Sequence, residues 1–131
     1  MTNANVVSIR KPQVLIVEDE TIIALDIAFQ LRDLGYEPLG PANRGEQAIE
    51  MTRRLRPQLV LMDIHLGGPM DGIAAAQYIR TEFDIPCIFL SAFTGDESRS
   101  LAQLANPAGY LPKPFTEYEL RTVVAAALEG L

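Results

Sequence analysis

Four stretches of this sequence place reactive side chains directly after short apolar runs. Glu18-Asp19-Glu20 follows Val14-Leu15-Ile16-Val17, and Asp63 follows Leu59-Val60-Leu61-Met62. Ser91 follows Cys87-Ile88-Phe89-Leu90, and Lys113 follows Gly109-Tyr110-Leu111-Pro112. Carboxylates held close together repel and keep their protons unless a cation intervenes. A hard divalent ion relieves that repulsion. Mg²⁺ suits such a set, because it takes one or two carboxylates and keeps several waters and a phosphate oxygen. The chemistry indicated is Asp63 as a carboxylate nucleophile on phosphorus, forming an aspartyl phosphate. The metal and the Lys113 ammonium would neutralise the transferring oxygens, and the Ser91 hydroxyl would donate to the same group. The lysine argues against an aspartic-protease pair.

Each of these residues, taken alone, has a plainer reading. The acidic triplet could favour the positive end of a following helix. Asp63 could be a solvated loop acid, Ser91 a turn residue, and Lys113 a surface lysine between two prolines. What sets them apart is their joint position. In open parallel sheets functional groups collect at the carboxyl ends of the strands, so four such ends would converge on one edge.

The elements needed to bring them there are legible. Continuous rather than alternating apolar runs suit strands covered on both faces, as in a parallel sheet between helices. Two weaker strands are expected at Glu37–Pro41 and Gly109–Pro112, the latter at a sheet edge because of Pro112. Ile23, Ile27, Leu31 and Leu34 form one helical stripe that ends at Gly35. Asn43 is expected to cap a second helix with Glu46 completing a capping box, and with Ala48, Ile49 and Leu55 inward. Asp71 starts a third, packing Gly72, Ala75, Ala76, Ile79 and Phe83. A fourth runs from about Asp96 to Ala105. Thr116 and Glu119 box the start of a fifth, whose inner face is Leu120, Val123, Val124, Ala127 and Leu128. The order is an α/β (βα)5 repeat.

The bulk properties agree and exclude several classes. The chain has 131 residues, 48% of them hydrophobic and 21% charged, which fits one domain with a sizeable core. Residues 1–12 read as a flexible lead-in and 13–131 as the domain, with no output domain following. A net charge of −6 disfavours direct nucleic-acid binding. No apolar run reaches the roughly 18 residues of a membrane span, and none resembles a signal peptide. The single cysteine, Cys87, offers no internal disulfide and fits a cytoplasmic setting. Competing phosphate sites fail: the first strand is followed by acids rather than a glycine-rich turn, and no G-x-x-x-x-G-K-[ST] loop exists. His65 stands where a haloacid-dehalogenase-type phosphatase would want a second aspartate.

Val14-Leu15-Ile16-Val17-Glu18-Asp19-Glu20, Leu61-Met62-Asp63-Ile64, Met70-Asp71-Gly72, Leu90-Ser91-Ala92 and Gly109-Tyr110-Leu111-Pro112-Lys113-Pro114-Phe115 together resemble the receiver domain of two-component response regulators. The resemblance covers about Gln13 to Leu128. It implies a flavodoxin-like doubly wound sandwich with strand order 2-1-3-4-5. It also implies that Asp63 takes a phosphoryl group from a histidine kinase or a histidine phosphotransfer protein. Asp19 would bind Mg²⁺ directly, Glu18 through water, and the His65 backbone carbonyl would complete the shell. Ser91 and Lys113 would contact the phosphoryl group, and the Lys113-Pro114 bond would be cis. On phosphorylation Ser91 would move, Tyr110 would turn inward, and the face of the fourth helix, last strand and last helix would change to control a downstream partner. The chain would then be a switch and not a metabolic enzyme. It would be stand-alone, a phosphate-shuttling relay, or a receiver cut from a larger regulator or hybrid kinase. A homodimer would use that same face or the first and last helices.

The sequence departs from the commonest family pattern in places. Glu18 replaces an aspartate, Ser91 a threonine, and the Leu66-Gly67-Gly68-Pro69 loop is one residue longer. Phe93, two residues past Ser91, is apolar and would shield the phosphoryl group from water. A Phe93→Ser variant should therefore lose its phosphoryl group faster than the wild type. A half-life no shorter, measured by decay of the phosphorylated mass, contradicts the shielding role.

Overall fold

The computed structural model describes residues 10–92, 102–103 and 105–130. Five strands alternate with helices: β1 (Gln13–Val17), α1 (Thr21–Asp33), β2 (Glu37–Ala42), α2 (Gly45–Leu55), β3 (Leu59–Asp63), α3 (Gly72–Phe83), β4 (Cys87–Ser91), β5 (Gly109–Pro112) and α4 (Glu117–Glu129). The sheet is parallel with order β2-β1-β3-β4-β5, the flavodoxin-like topology expected. Most of the expected helix at Asp96–Ala105 lies outside the described residues, although Ala102 and Gln103 are helical. Most of the lead-in, residues 1–9, also lies outside them. The helix expected fifth is thus α4.

The continuous apolar strands are explained by two cores, one on each face of the sheet. Successive strand residues point to opposite faces. Leu15, Val17, Val60, Met62 and Phe89 accordingly pack with Ala48, Ala75, Ala76 and Ile79 of α2 and α3. Val14, Ile16, Leu59, Leu61, Ile88 and Leu90 pack with Ile27 and Leu31 of α1 and Leu120 and Val124 of α4. Each of the valine, leucine, isoleucine, methionine and phenylalanine side chains contributes about 1.5–3 kcal/mol when fully buried, the alanines less. β3, at the centre, is buried throughout. β5 lies at an edge with Pro112 as its last residue, where a missing N–H costs no central ladder bond. Cys87 is buried in β4, and burial pushes its thiol up to about 12.

The helix ends show where local rules held. Asp71 accepts from the Ala74 N–H at the start of α3. Thr116 and Glu119 form a reciprocal capping box on α4. Gly35, at φ +94°, turns the chain out of α1. The box expected at Asn43 does not form. Arg44 is the cap residue of α2 and makes no side-chain cap bond. The Asn43 N–H instead donates to Gln47 Oε1 at 2.8 Å, so the glutamine side chain, one turn in, closes this end from the other direction. Leu55, expected inward, is 39% exposed, because it is the last residue of α2, where the helix leaves the sheet. Phe83 is only half-buried, and the guanidinium groups of Arg53 and Arg56 lie 5.6 and 5.0 Å from its ring centre.

Among the described residues no helix is long and apolar enough to cross a membrane. Thr52, on the inner face of α2, is fully buried, and its hydroxyl finds no hydrogen-bond partner among them. A buried hydroxyl without a partner loses its water for nothing. Thr52→Val should therefore raise the unfolding free energy by about 1 kcal/mol, read from the urea midpoint at unchanged slope. An unchanged or lower midpoint would mean that the hydroxyl is satisfied.

Candidate functional site

Parallel register does most of the assembly. Val17 pairs with Met62, Asp63 with Leu90, and Ser91 with Pro112. The residues that end or follow these strands therefore emerge side by side. Glu18 continues from β1, Asp63 ends β3, Ser91 ends β4, and Lys113 follows β5. Backbone bonds extend the ladder through the site. The Glu18 N–H donates to the Ala42 carbonyl at 2.9 Å, and the Lys113 N–H donates to the Ser91 carbonyl at 2.7 Å.

The side chains then close on one another. Lys113 Nζ donates to Glu18 Oε2 at 2.6 Å and to Asp63 Oδ2 at 3.4 Å. Asp63 Oδ1 accepts the His65 backbone N–H at 2.9 Å. Glu18 Oε1 accepts the Glu20 backbone N–H at 3.2 Å. Glu18, Asp63 and Ser91 are buried, whereas Asp19, Glu20 and the His65 side chain are exposed. One oxygen from each of Glu18, Asp19 and Glu20 lies within 4.8 Å of the others. That donor set is all hard oxygen, which fits Mg²⁺ and not a soft ion.

Burial dominates the titration of Glu18. Loss of water pushes its carboxyl up to about 7, with Asp63 adding to the rise and Lys113 and the Glu20 N–H opposing it. For Lys113, burial acts to strip the proton. The Glu18 hydrogen bond and the charges of Asp63 and Glu18 outweigh it, and the ammonium is held above its ordinary value. The corner thus holds a firmly protonated lysine beside a reluctant carboxylate and a nearly buried aspartate.

The structure gathers Glu18, Asp63, Lys113 and Ser91 in one corner, with Asp19 on its rim. Tyr110 is half-buried on β5, beside Phe89 in register, and packs on the core shared with α2 and α3. The Lys113-Pro114 bond is cis, as is Gly40-Pro41, which sequence reasoning did not anticipate. At His65 the observed contact is its amide N–H on Asp63, a backbone donor with no sequence signature. Phe93 lies outside the described residues. A groove of about 660 Å³ also went unforeseen; it opens beside Lys113 between α1 and the chain after β5, lined by Ile22, Ile23, Ile27, Pro114 and Phe115 among others. Its signal was Ile22, which falls off the buried stripe of α1 and is 82% exposed.

Residues 14–125 match the family model described as the response regulator receiver domain. Over 119 residues the chain is 39% identical to the transcriptional regulatory protein PdtaR of Mycobacterium tuberculosis, covering 88% of this chain and 56% of that protein. The chain spans about half the length of the curated relatives it matches. Among solved structures, it resembles the receiver domain of a modulated diguanylate cyclase from Desulfovibrio desulfuricans, with TM-score 0.86 and 36% identity over 92% of this chain and 95% of that one. It also resembles the receiver domain of a Pseudomonas aeruginosa sensor histidine kinase, solved with a magnesium ion in its active site cleft. There the TM-score is 0.82 and the identity 30%, over 91% of this chain and 98% of that one.

The raised Glu18 carboxyl has a consequence for stability. In metal-free protein the folded state holds this proton up to about 7, against an ordinary value of 4.5. Its contribution is complete below about 4.5 and is lost as pH rises through about 7. The melting temperature of metal-free protein should therefore fall across that window, and Glu18→Gln should flatten the fall. A Glu18→Gln profile parallel to the wild type would refute the assignment.

Proposed function

The chain belongs to the response regulator receiver domain family, and on that premise we propose that it works by phosphorylation of Asp63. As a receiver domain it is part of a signalling switch in a two-component system. The observation that carries the chemical reading is the Lys113 ammonium reaching both Glu18 and Asp63 across three strands.

Asp63 is the nucleophile. Its Oδ1 is fixed by the His65 amide, and its Oδ2 faces the ammonium. The bond from phosphorus to the donor's leaving group, P–N in a phosphohistidine and P–O in acetyl phosphate, breaks as the Asp63 carboxylate oxygen bonds to phosphorus. The leaving group departs with the electron pair and takes a proton from its surroundings. Lys113 offsets the charge of the phosphoryl oxygens, and the Ser91 hydroxyl donates to one of them. Asp19 and Asp63 would hold Mg²⁺ directly, Glu18 would hold it through water, and the His65 carbonyl would complete its shell. Bound there, the ion supplies positive charge to the transferring oxygens. The catalysis is confined to the chain's own phosphorylation and dephosphorylation.

A phosphohistidine on a kinase or phosphotransfer protein is the donor this site suits, since the apolar groove beside Lys113 admits a protein surface next to Asp63. Phosphorylation then shifts Ser91 and Tyr110, and with them the surface offered to a downstream partner. The length of the relatives favours a second setting, in which this receiver controls an attached effector domain.

Incubation with acetyl phosphate and Mg²⁺ should add one phosphoryl mass to the wild type and none to Asp63→Asn. Omitting Mg²⁺ should suppress the gain. Mass gain that survives Asp63→Asn would place the acceptor elsewhere.

A further inference from the structure

The first residue of α3 touches the acceptor aspartate so closely that nothing larger than hydrogen fits. A methyl group on Gly72 would stand 2.0 Å from the Asp63 carbonyl oxygen, 2.9 Å from its carbonyl carbon and 2.9 Å from the Ile64 Cα. All three are backbone atoms, so no side chain can swing aside. The backbone torsion of Gly72 is not the reason for glycine, since its φ is outside the left-handed region. Helix propensity would favour alanine there by about 1 kcal/mol. The requirement is therefore one of space.

Both partners in this contact are held. The Gly72 N–H donates to the Ile64 carbonyl at 3.1 Å, and the Ile64 N–H donates to the Leu90 carbonyl at 3.0 Å. Asp71 anchors the helix start by accepting from the Ala74 N–H at 2.8 Å. On the far side, the Asp63 carboxylate is fixed by the His65 N–H and faces Lys113. The end of β3 is thus clamped between β4 and the beginning of α3.

We propose that Gly72 is a positioning residue for the Asp63 carboxylate, its bare Cα setting where β3 stops relative to Lys113. The inference deepens the phosphoacceptor reading and rests on it. Alanine at this position drives the Asp63 backbone and the α3 start apart by about an ångström, and misplacement on that scale costs up to about 100-fold in a positioned reaction.

Gly72→Ala should phosphorylate about 10- to 100-fold more slowly than wild type with acetyl phosphate at saturating Mg²⁺. Hydrogen exchange at the His65 amide should quicken as its bond to Asp63 loosens. Ile79→Val, which loosens the packing of the same helix farther along, controls for helix destabilisation and should keep near-wild-type values of both. Wild-type rates in Gly72→Ala, or equal losses in the two variants, overturn the inference. Should Gly72→Ala fail to fold, the amide resonance of Gly72 in the wild type is the measurement. It should move on phosphorylation, and a resonance that stays put overturns the inference. A wild type that takes no phosphoryl group overturns the acceptor reading, and this inference falls with it.

Discussion

Lys113 brings one positive charge into a corner where two carboxylates have lost most of their water. Its side chain is 11% exposed, and those of Glu18 and Asp63 are 0% and 5%. In water such contacts contribute little. Here the partners would be stranded without each other, and breaking a buried pair typically costs about 3–5 kcal/mol. The bridge also spans the sheet. Glu18 leaves β1, Asp63 ends β3 and Lys113 leaves β5, so one ammonium ties together three of the four strands in the run β1-β3-β4-β5. On the proposed mechanism, a phosphoryl group on Asp63 would change the charges that this ammonium must balance.

Such a corner can exist only if the strands beneath it end in step. The two cores see to that, because every interior strand is gripped on both faces. A slip of one residue would exchange the side chains of Val60 and Leu61 between the α2–α3 face and the α1–α4 face. The same slip would move Asp63 out of line with Ser91 and Lys113. Packing specificity and chemical alignment are in this sense one constraint.

The three interior strands were legible because burial on both faces demands unbroken apolar runs, whereas the edge strands β2 and β5 carry weaker patterns. Asp71 and Thr116 were legible as caps because a short side chain can reach the next turn without help. Asn43 misled for the converse reason: Gln47 reached back to its amide, and a long side chain competing from within the helix leaves no local signature. Ile22, Leu25 and Phe29 on α1 are apolar yet 82%, 55% and 65% exposed; periodicity marks the buried stripe without saying what a second apolar stripe faces. At the site, residue types at strand ends pointed to Glu18, Asp63, Ser91 and Lys113. The His65 amide could not be read, because every residue but proline carries the same N–H.

Cys87 lends the molecule a built-in clock. Sulfur reacts with alkylating reagents as the thiolate, and this one is both enclosed within an inner strand and held almost wholly in its protonated form. Modification must wait until β4 is uncovered, so the pace of labelling counts openings of the sheet rather than collisions at its surface. With no other sulfhydryl in the chain, that count comes from one address, four residues upstream of Ser91.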